Sequence, residues 1–475
     1  MKKTLIFATL LLMYGSALDA KVTLPSVISD NMVLQQQTDV ALWGKAEPGK
    51  KVTVTTSWNN AKTVIPADKQ TGKWLVRIAT PAAGGPYQIT ISDGEAVTLR
   101  NVLVGEVWFC SGQSNMEMPM MGYDSQPAKG AVKYIAGAKA STPIRICNVT
   151  KKSSKTPLET SEGSWCENTP DAVAATSATA YYFARQLQAA TDIPVGIIVT
   201  CWGGSSIETW IPKEVIEKEF PEFSLDHLTP SGEIHSDNQD PCLCFNGQVA
   251  PLVPYTFKGM IWYQGETNRG RPEQYIRLQD AYTRSMREMF SVPEAPFYFV
   301  QIAPYPYDDP DGFCSGYFYE AQQKSLDVIT HSGMAVTCDI GEYGTIHPCQ
   351  KEAVGDRLAY LALQNDYGFP AIKAVAPTYK SVEFLDGKAI VRFNVDSEGL
   401  SPMGGGIPGF EIAGDDKVFH KAYVSHIYGN SVEVFCEEVP EPVAVRYCFR
   451  NWCVGGLYNN YGIPAAPFRT DDWDL

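Results

Sequence analysis

Positive charge is scarce in this chain of 475 residues. Its 39 lysines and arginines are outnumbered by 53 aspartates and glutamates, which gives a net charge of −14 at pH 7. Such an acidic chain repels phosphate backbones unless basic residues are concentrated in one patch, and the sequence contains no such patch. We therefore expect no nucleic-acid partner.

Long apolar runs are also missing, and the one at the amino terminus, residues 5–13, is short. It follows two lysines and precedes several small residues, a pattern that predicts a secretory signal peptide over residues 1–20. The run is too short to span a membrane, and no cysteine before Cys110 is placed to carry a lipid anchor. We expect a secreted or periplasmic protein with no membrane partner.

Cysteine is sparse as well, because twelve thiols in 475 residues are too few for a disulfide scaffold. Cys242 and Cys244 are too close in sequence for a structural zinc site, and no Cys-x-x-Cys pair accompanies them. We expect no metal site and interpret most cysteines as buried free thiols.

The pattern of the sequence changes twice after the signal peptide, which predicts three units in an α/β protein. Short β-branched runs between Pro and Gly turns predict an N-terminal β-sandwich over residues 21–102. Over residues 103–369, apolar runs alternate with helical stretches at 176–190 and 275–289, which predicts a parallel sheet covered on both faces. Short strands return over residues 370–475 and predict a C-terminal β module and tail packed on the core.

The most informative segment is residues 107–116, Val-Trp-Phe-Cys-Ser-Gly-Gln-Ser-Asn-Met. An apolar strand runs into a turn of small residues, which exposes the hydroxyl of Ser114 at the strand's carboxyl end. The N–H groups of a helix starting there would point at an anion formed beside this hydroxyl. Glycine-flanked serines are more often ordinary turns, so the assignment of Ser114 as a nucleophile depends on other segments.

Three later segments supply the remaining groups of a serine ester hydrolase. Gly203 and Gly204 follow a β-branched run and offer backbone amides, and Gln264 follows a second apolar run and offers a carboxamide donor for an oxyanion. His347 follows a third run and lies on a loop just before a helix predicted over residues 352–363. Since all of them follow strands, we expect them to meet at the carboxyl edge of the sheet, where ligands bind in open α/β folds.

In this order, the four segments resemble the conserved blocks of SGNH-type esterases and, more closely, the sialate O-acetylesterase family. The likeness implies an SGNH-hydrolase-like three-layer core with a parallel sheet, flanked by β-sandwich modules. It also implies a serine esterase that removes O-acetyl groups from sialic acids or related acetylated sugars, with no metal or organic cofactor. The segments that carry it are residues 30–35, 43–46, 111–116, 203–210, 262–268, 346–348 and 467–471.

The resemblance implies an acyl-enzyme mechanism. Ser114 attacks the acetyl carbonyl, and His347 takes the hydroxyl proton and later returns it to the sugar oxygen. The oxyanion is held by the Ser114 amide, by the Gly204 amide, with Gly203 as the alternative, and by the Gln264 carboxamide.

The partner of His347 is open, because SGNH enzymes usually carry an aspartate three residues before the histidine and here that residue is Gly344. Asp339, Glu342 and a backbone carbonyl are the candidate acceptors for the second ring nitrogen. Asp339 is the carboxylate that we place in the predicted catalytic site. We nevertheless expect Asp339→Asn to have a mild effect, since a helix N-terminus after His347 already favours neutral imidazole.

Two residues are predicted to bind substrate. Arg271, with Arg269 beside it, offers a guanidinium fork for an anionic sugar. Tyr305, with Tyr307, lies in a loop rich in proline and aspartate and offers a ring for stacking on a sugar.

Two other functions fit the same residues. An acetylxylan-type esterase acting on plant polysaccharide differs only in its substrate. A noncatalytic glycan-binding protein would have lost activity with the missing acid, but the intact Ser114, Gln264 and His347 argue against it. Turnover of p-nitrophenyl acetate distinguishes a catalyst from a binding protein.

Overall fold

The computed structural model describes residues 22–473, so the predicted signal peptide at residues 1–20 lies outside the described part. The chain forms a mixed α/β structure with one eleven-stranded mixed sheet and several small antiparallel sheets. Between residues 22 and 473, no helix combines the length and apolar character needed to cross a membrane.

The amino-terminal part contains only strands. Strands β3 and β5 alternate buried and exposed side chains, because successive side chains point to opposite faces of a strand. Strand β2 pairs with β5, and the remaining strands extend the large sheet. The seven strands are β1 Val33–Gln35, β2 Asp39–Lys45, β3 Lys51–Thr56, β4 Lys62–Pro66, β5 Lys73–Ala79, β6 Gly84–Ser92 and β7 Ala96–Gly112.

The central part combines strands with eight α-helices. The strands are β8 Ile144–Asn148, β9 Trp165–Glu167, β10 Val195–Cys201, β11 Gly259–Tyr263, β12 Phe297–Val300 and β13 Ser332–Ala335. The helices are α1 Ser114–Glu117, α2 Ala131–Gly137, α3 Pro170–Ala175, α4 Ala178–Thr191, α5 Lys213–Glu219, α6 Pro272–Met289, α7 Cys314–Val328 and α8 Lys351–Asp366. The helices predicted at residues 176–190, 275–289 and 352–363 are confirmed as α4, α6 and α8.

Parallel strands in the order β13-β12-β11-β7-β10-β8 form the core sheet, and β9 joins its edge antiparallel. Alternate residues of one strand enter different apolar clusters. Trp108 packs in the cluster that contains α4 and α8, whereas Phe109 packs in the cluster that contains α6 and α7. The sheet is therefore covered by helices on both faces, which explains why its strands read as continuous apolar runs.

Strand β7 links the amino-terminal part to the core. It pairs antiparallel with β6 near its start and parallel with β10 and β11 towards its end. All its residues from Val102 to Gly112 are buried. The predicted boundary between residues 102 and 103 thus lies inside a single strand, because one apolar run serves both sheets.

The carboxyl-terminal part is again formed by strands, and Asp386 and Gly387, both with φ in the left-handed region, form the hairpin turn between β14 and β15. A buried ion pair between Arg446 and Asp471 fixes the tail, and Arg469 pairs with Glu320 on α7. The strands are β14 Thr378–Leu385, β15 Lys388–Asn394, β16 Leu400–Ser401, β17 Phe410–Ala413, β18 Phe419–Lys421, β19 Tyr423–Tyr428, β20 Ser431–Phe435, β21 Ala444–Tyr447, β22 Tyr458–Asn459 and β23 Phe468–Arg469.

Candidate active site

Ser114 begins helix α1 at the carboxyl end of β7, the strand between β10 and β11 in the core sheet. The turn requires glycine at position 112, because a Cβ atom there would lie 2.1 Å from the carbonyl oxygen of Tyr263 on β11. The backbone oxygen of Gln113 accepts from the N–H groups of Met116 and Glu117. The Ser114 N–H has no acceptor among residues 22–473 and remains available to a ligand.

His347 lies on the loop between β13 and α8, where a glutamine side chain holds its ring. Its Nδ1–H donates to Oε1 of Gln126 at 2.6 Å, and the same oxygen accepts from the Thr345 hydroxyl at 3.0 Å. Tyr123 connects the histidine to the nucleophile, since its ring packs edge-on against His347 with centroids 5.2 Å apart and its hydroxyl donates to the Ser114 carbonyl oxygen at 3.0 Å. Tyr123 thus contacts both the backbone of the predicted nucleophile and the ring of the predicted base.

The prediction of Asp339 as the partner of His347 is wrong. Both carboxylate oxygens of Asp339 accept from Arg357, at 2.8 and 2.6 Å, and the pair is largely buried. Glu342 is engaged as well, because it accepts from the Cys349 N–H at 2.6 Å. The acceptor is the Gln126 carboxamide, which sequence reasoning missed because Gln126 belongs to no motif.

We expect Asp339→Asn to lower stability more than activity. The substitution leaves a mostly buried Arg357 without its carboxylate, which typically costs about 3 kcal/mol of unfolding free energy. Urea unfolding and kcat measured on the same preparation check this. Arg357→Gln breaks the same pair from the other side and serves as the matched variant, with a similar loss of stability. A fall in kcat of about 10⁴ in folded Asp339→Asn would contradict the assignment of Gln126.

The glycine turn after β10 lies directly beside the nucleophile. A Cβ atom on Gly203 would lie 3.3 Å from the Ser114 Cβ. The Gly203 N–H donates to Oε2 of Glu117 at 2.5 Å and is therefore occupied. Gly204 has φ of +72°, a left-handed conformation that favours glycine, and its N–H has no acceptor in the described part of the chain. Of the predicted amide donors, those of Ser114 and Gly204 are thus the ones left for an oxyanion.

Gln264 does not serve as the predicted oxyanion donor. Its side chain is fully buried, and its Nε2 group donates to the Ser205 carbonyl oxygen at 3.0 Å and to Oδ1 of Asn268 at 2.7 Å. Both N–H bonds are therefore occupied. Gln264 instead ties the loop after β11 to the glycine turn, which supports the position of Gly204.

Burial and a neighbouring cation keep His347 neutral. Burial and, as a smaller effect, the positive charge of Lys351 together lower the pKa of His347 from 6.5 to about 4. Helix α8 begins at Lys351, four residues beyond the histidine, so His347 lies on a loop just before a helix, as predicted. These two effects favour the neutral form of the imidazole.

The predicted substrate contacts pack mainly against other protein groups. Arg271 donates to Glu208 at 2.6 Å and to Gln274 at 2.7 Å, so its fork is already occupied. Tyr305 is half-buried, with its ring edge-on to Tyr307. Arg269, the other predicted arginine, stacks on the Tyr307 ring. Its guanidinium carbon lies 3.5 Å from the ring centroid. A sugar contact by Tyr305 stays a prediction.

Several known proteins with chains similar to this one are esterases. Over 432 residues, 78% of this chain and 79% of the relative, the chain is 26% identical to the sialate O-acetylesterase of Mus musculus. It is also 26% identical to the Homo sapiens sialate O-acetylesterase, over 77% of this chain and 75% of that protein. A crystal structure of a carbohydrate acetylesterase from Xanthomonas citri superposes with a TM-score of 0.84 at 34% identity, covering 95% of this chain and 100% of that chain. The protein is a carboxylic ester hydrolase.

The family can be stated more narrowly. The family model described as carbohydrate esterase, sialic acid-specific acetylesterase, matches residues 104–359, which is more than half of the chain. The chain belongs to this family, whose reaction is the deacetylation of acetylated sugars. The matched residues contain the serine turn, the glycine turn and the histidine loop.

Proposed function

We propose that the protein is a serine esterase with an SGNH-type core that removes O-acetyl groups from sialic acids or related acetylated sugars. Ser114 is the nucleophile and His347 the base. The observation that carries the proposal is the placement of His347, held at Nδ1 by Gln126, against the Ser114 turn through Tyr123.

The hydrogen bond to Gln126 selects the histidine tautomer that catalysis needs. Because Nδ1 carries the proton that is donated to Gln126, Nε2 keeps a lone pair and can accept the Ser114 hydroxyl proton. Attack on the acetyl carbonyl gives a tetrahedral intermediate whose oxyanion accepts from the Ser114 and Gly204 amides. The imidazolium then protonates the departing sugar oxygen, and water, activated by the same nitrogen, releases acetate from the acetyl-enzyme.

The activity should persist at unusually acidic pH. His347 works as a base only when neutral, so kcat/KM should fall as pH drops through its pKa of about 4 instead of through 6.5. A pH profile of p-nitrophenyl acetate hydrolysis checks this, with each sample also returned to pH 7 to show that acid has not unfolded the enzyme. If kcat/KM fell to half of its maximum near pH 6.5, in protein that regains full activity at pH 7, the result would contradict a buried, neutral base.

The identity of the acetylated sugar is the most specific part of the proposal. Sialate O-acetylesterases among the relatives support a sialic acid, but Arg271 is already paired with Glu208, so an anionic sugar has no free fork there. Assays on a panel of O-acetylated sialic acids, beside acetylated xylan and other neutral acetylated sugars, test it. Release of acetate from sialic acids, abolished in Ser114→Ala, is the expected result, and activity confined to neutral acetylated polysaccharide would reassign the substrate.

We also propose that the enzyme acts outside the cytoplasm. The support is the sequence of residues 1–20, with two lysines, an apolar run and small residues before Lys21. Amino-terminal sequencing of protein recovered from cell fractions tests it. Protein that retains Met1 and is found only in the cytoplasm would overturn the proposal.

A further inference from the structure

The side chain of Asn115, the residue after Ser114, is hydrogen-bonded to groups from the loop after β11, from the histidine loop and from the start of α8. Its Nδ2 group donates to Oε1 of Glu266 at 2.6 Å and to the carbonyl oxygen of Ile346 at 3.1 Å, and its Oδ1 accepts from Nζ of Lys351. Asn115 is 1% exposed and Lys351 is fully buried. Since Ile346 precedes His347, one amide joins the serine turn to the histidine loop.

The two charged groups fix the orientation of this amide. Its oxygen faces the Lys351 ammonium and its nitrogen faces the Glu266 carboxylate, and a flipped amide would bring donor to donor and acceptor to acceptor. Only the observed orientation sends an N–H to Ile346. The side chains of Lys351 and Glu266 therefore act on the position of the histidine loop through Asn115.

Burial and nearby acidic groups act in opposite directions on the charge of Lys351. Burial lowers the pKa of Lys351 and the negative charges of Glu266 and Glu342, together with Cys349, raise it, which leaves a net pKa of about 7. The Tyr263 ring lies 5.5 Å from Nζ, measured to the ring centroid, and adds a cation–π contact. At the acidic pH where His347 titrates, Lys351 is thus protonated.

We propose that Lys351, Asn115 and Glu266 form a positioning unit for the reaction, in which Lys351 and Glu266 orient the Asn115 amide, Asn115 holds the histidine loop against the serine turn, and the Lys351 charge acts on the imidazole. The inference rests on the proposed function of Ser114 and His347. The groups that face His347 are the Tyr123 ring and Lys351, and its own acceptor, Gln126, is uncharged.

This arrangement has a chemical consequence. In an Asp-containing triad a carboxylate stabilises the imidazolium, whereas here a neutral amide and a nearby cation leave it unstabilised. The resulting imidazolium is a strong acid, which favours rapid return of the proton to the departing sugar oxygen. The cost is a weaker base for the first proton transfer.

Lys351→Gln tests the charge, because it keeps a donor for Asn115 and removes the cation. The half-point of the acid limb of kcat/KM should rise from about 4 by about one pH unit. Lys129→Gln removes an exposed lysine from the same region and is the matched control, with no expected shift. If thermal unfolding shows that Lys351→Gln is not folded, Lys351→Met is used in its place to remove the charge.

Asn115→Ala tests the positioning. It should lower kcat about 10²-fold with little change in KM and with the acid limb still near pH 4, because the Lys351 charge remains. An unchanged acid limb in folded Lys351→Gln, or an unchanged kcat in Asn115→Ala, would overturn the inference. Wild-type protein without esterase activity would instead refute the proposed function, so the two failures are distinguishable.

Discussion

Ser114→Ala should lower kcat for acetyl-ester hydrolysis by about 10⁴ or more, because the substitution removes the hydroxyl that forms the acetyl-enzyme. The fold should be unaffected. The Ser114 hydroxyl makes no hydrogen bond within residues 22–473, and the backbone groups that build the turn remain in place. Steady-state kinetics on p-nitrophenyl acetate and thermal unfolding of the same sample measure both effects.

A matched control for this variant is Ser125→Ala, since Ser125 lies on the exposed loop before Gln126 and outside the catalytic contacts. It should keep nearly full activity. More than a few per cent of wild-type activity in pure Ser114→Ala would show that another residue is the nucleophile. Trapping of an acetyl group on the wild-type chain, located by mass spectrometry of the peptide containing Ser114, gives an independent check.

Gln126→Ala should have the second largest effect, a loss of kcat of about 10³, with KM little changed. Without the acceptor at 2.6 Å, the ring of His347 is free to rotate and to carry its proton on Nε2, where it cannot accept from serine. Because the Thr345 hydroxyl loses the same acceptor, the histidine loop also becomes less ordered. Measurement of kcat and KM separately, at pH 7, tests this prediction.

Gln126→Glu separates the hydrogen bond from the charge. The glutamate can still accept from Nδ1, so most activity should remain, but its negative charge should raise the pKa of His347 and move the acid limb above pH 4. Gln70→Ala, on an exposed turn of the amino-terminal part, is a control with the same substitution as the alanine variant. Equal activity of Gln126→Ala and wild type would remove Gln126 from the mechanism.

The amino-acid sequence by itself determined the strands, the main helices and the residues at the ends of the strands. Buried parallel strands are visible as continuous apolar runs, and turns are visible as glycine and small polar residues, so Ser114 and Gly204 could be placed at one sheet edge. These features depend on neighbouring residues and can be read locally. The chain-wide order of the motifs indicated the family.

Only the tertiary structure decided which side chains meet. Gln126 and His347 are 221 residues apart in the chain, and Gln126 lies in a loop whose composition gives no sign of a catalytic role. Asp339 and Gln264 have the residue types that a site needs, but Arg357 already occupies the Asp339 carboxylate, and Ser205 and Asn268 occupy the Gln264 amide nitrogen. A sequence pattern shows what a side chain is able to bind. The folded chain decides which partner is near enough to bind it, because hydrogen bonds act over about 3 Å and that separation is set by packing.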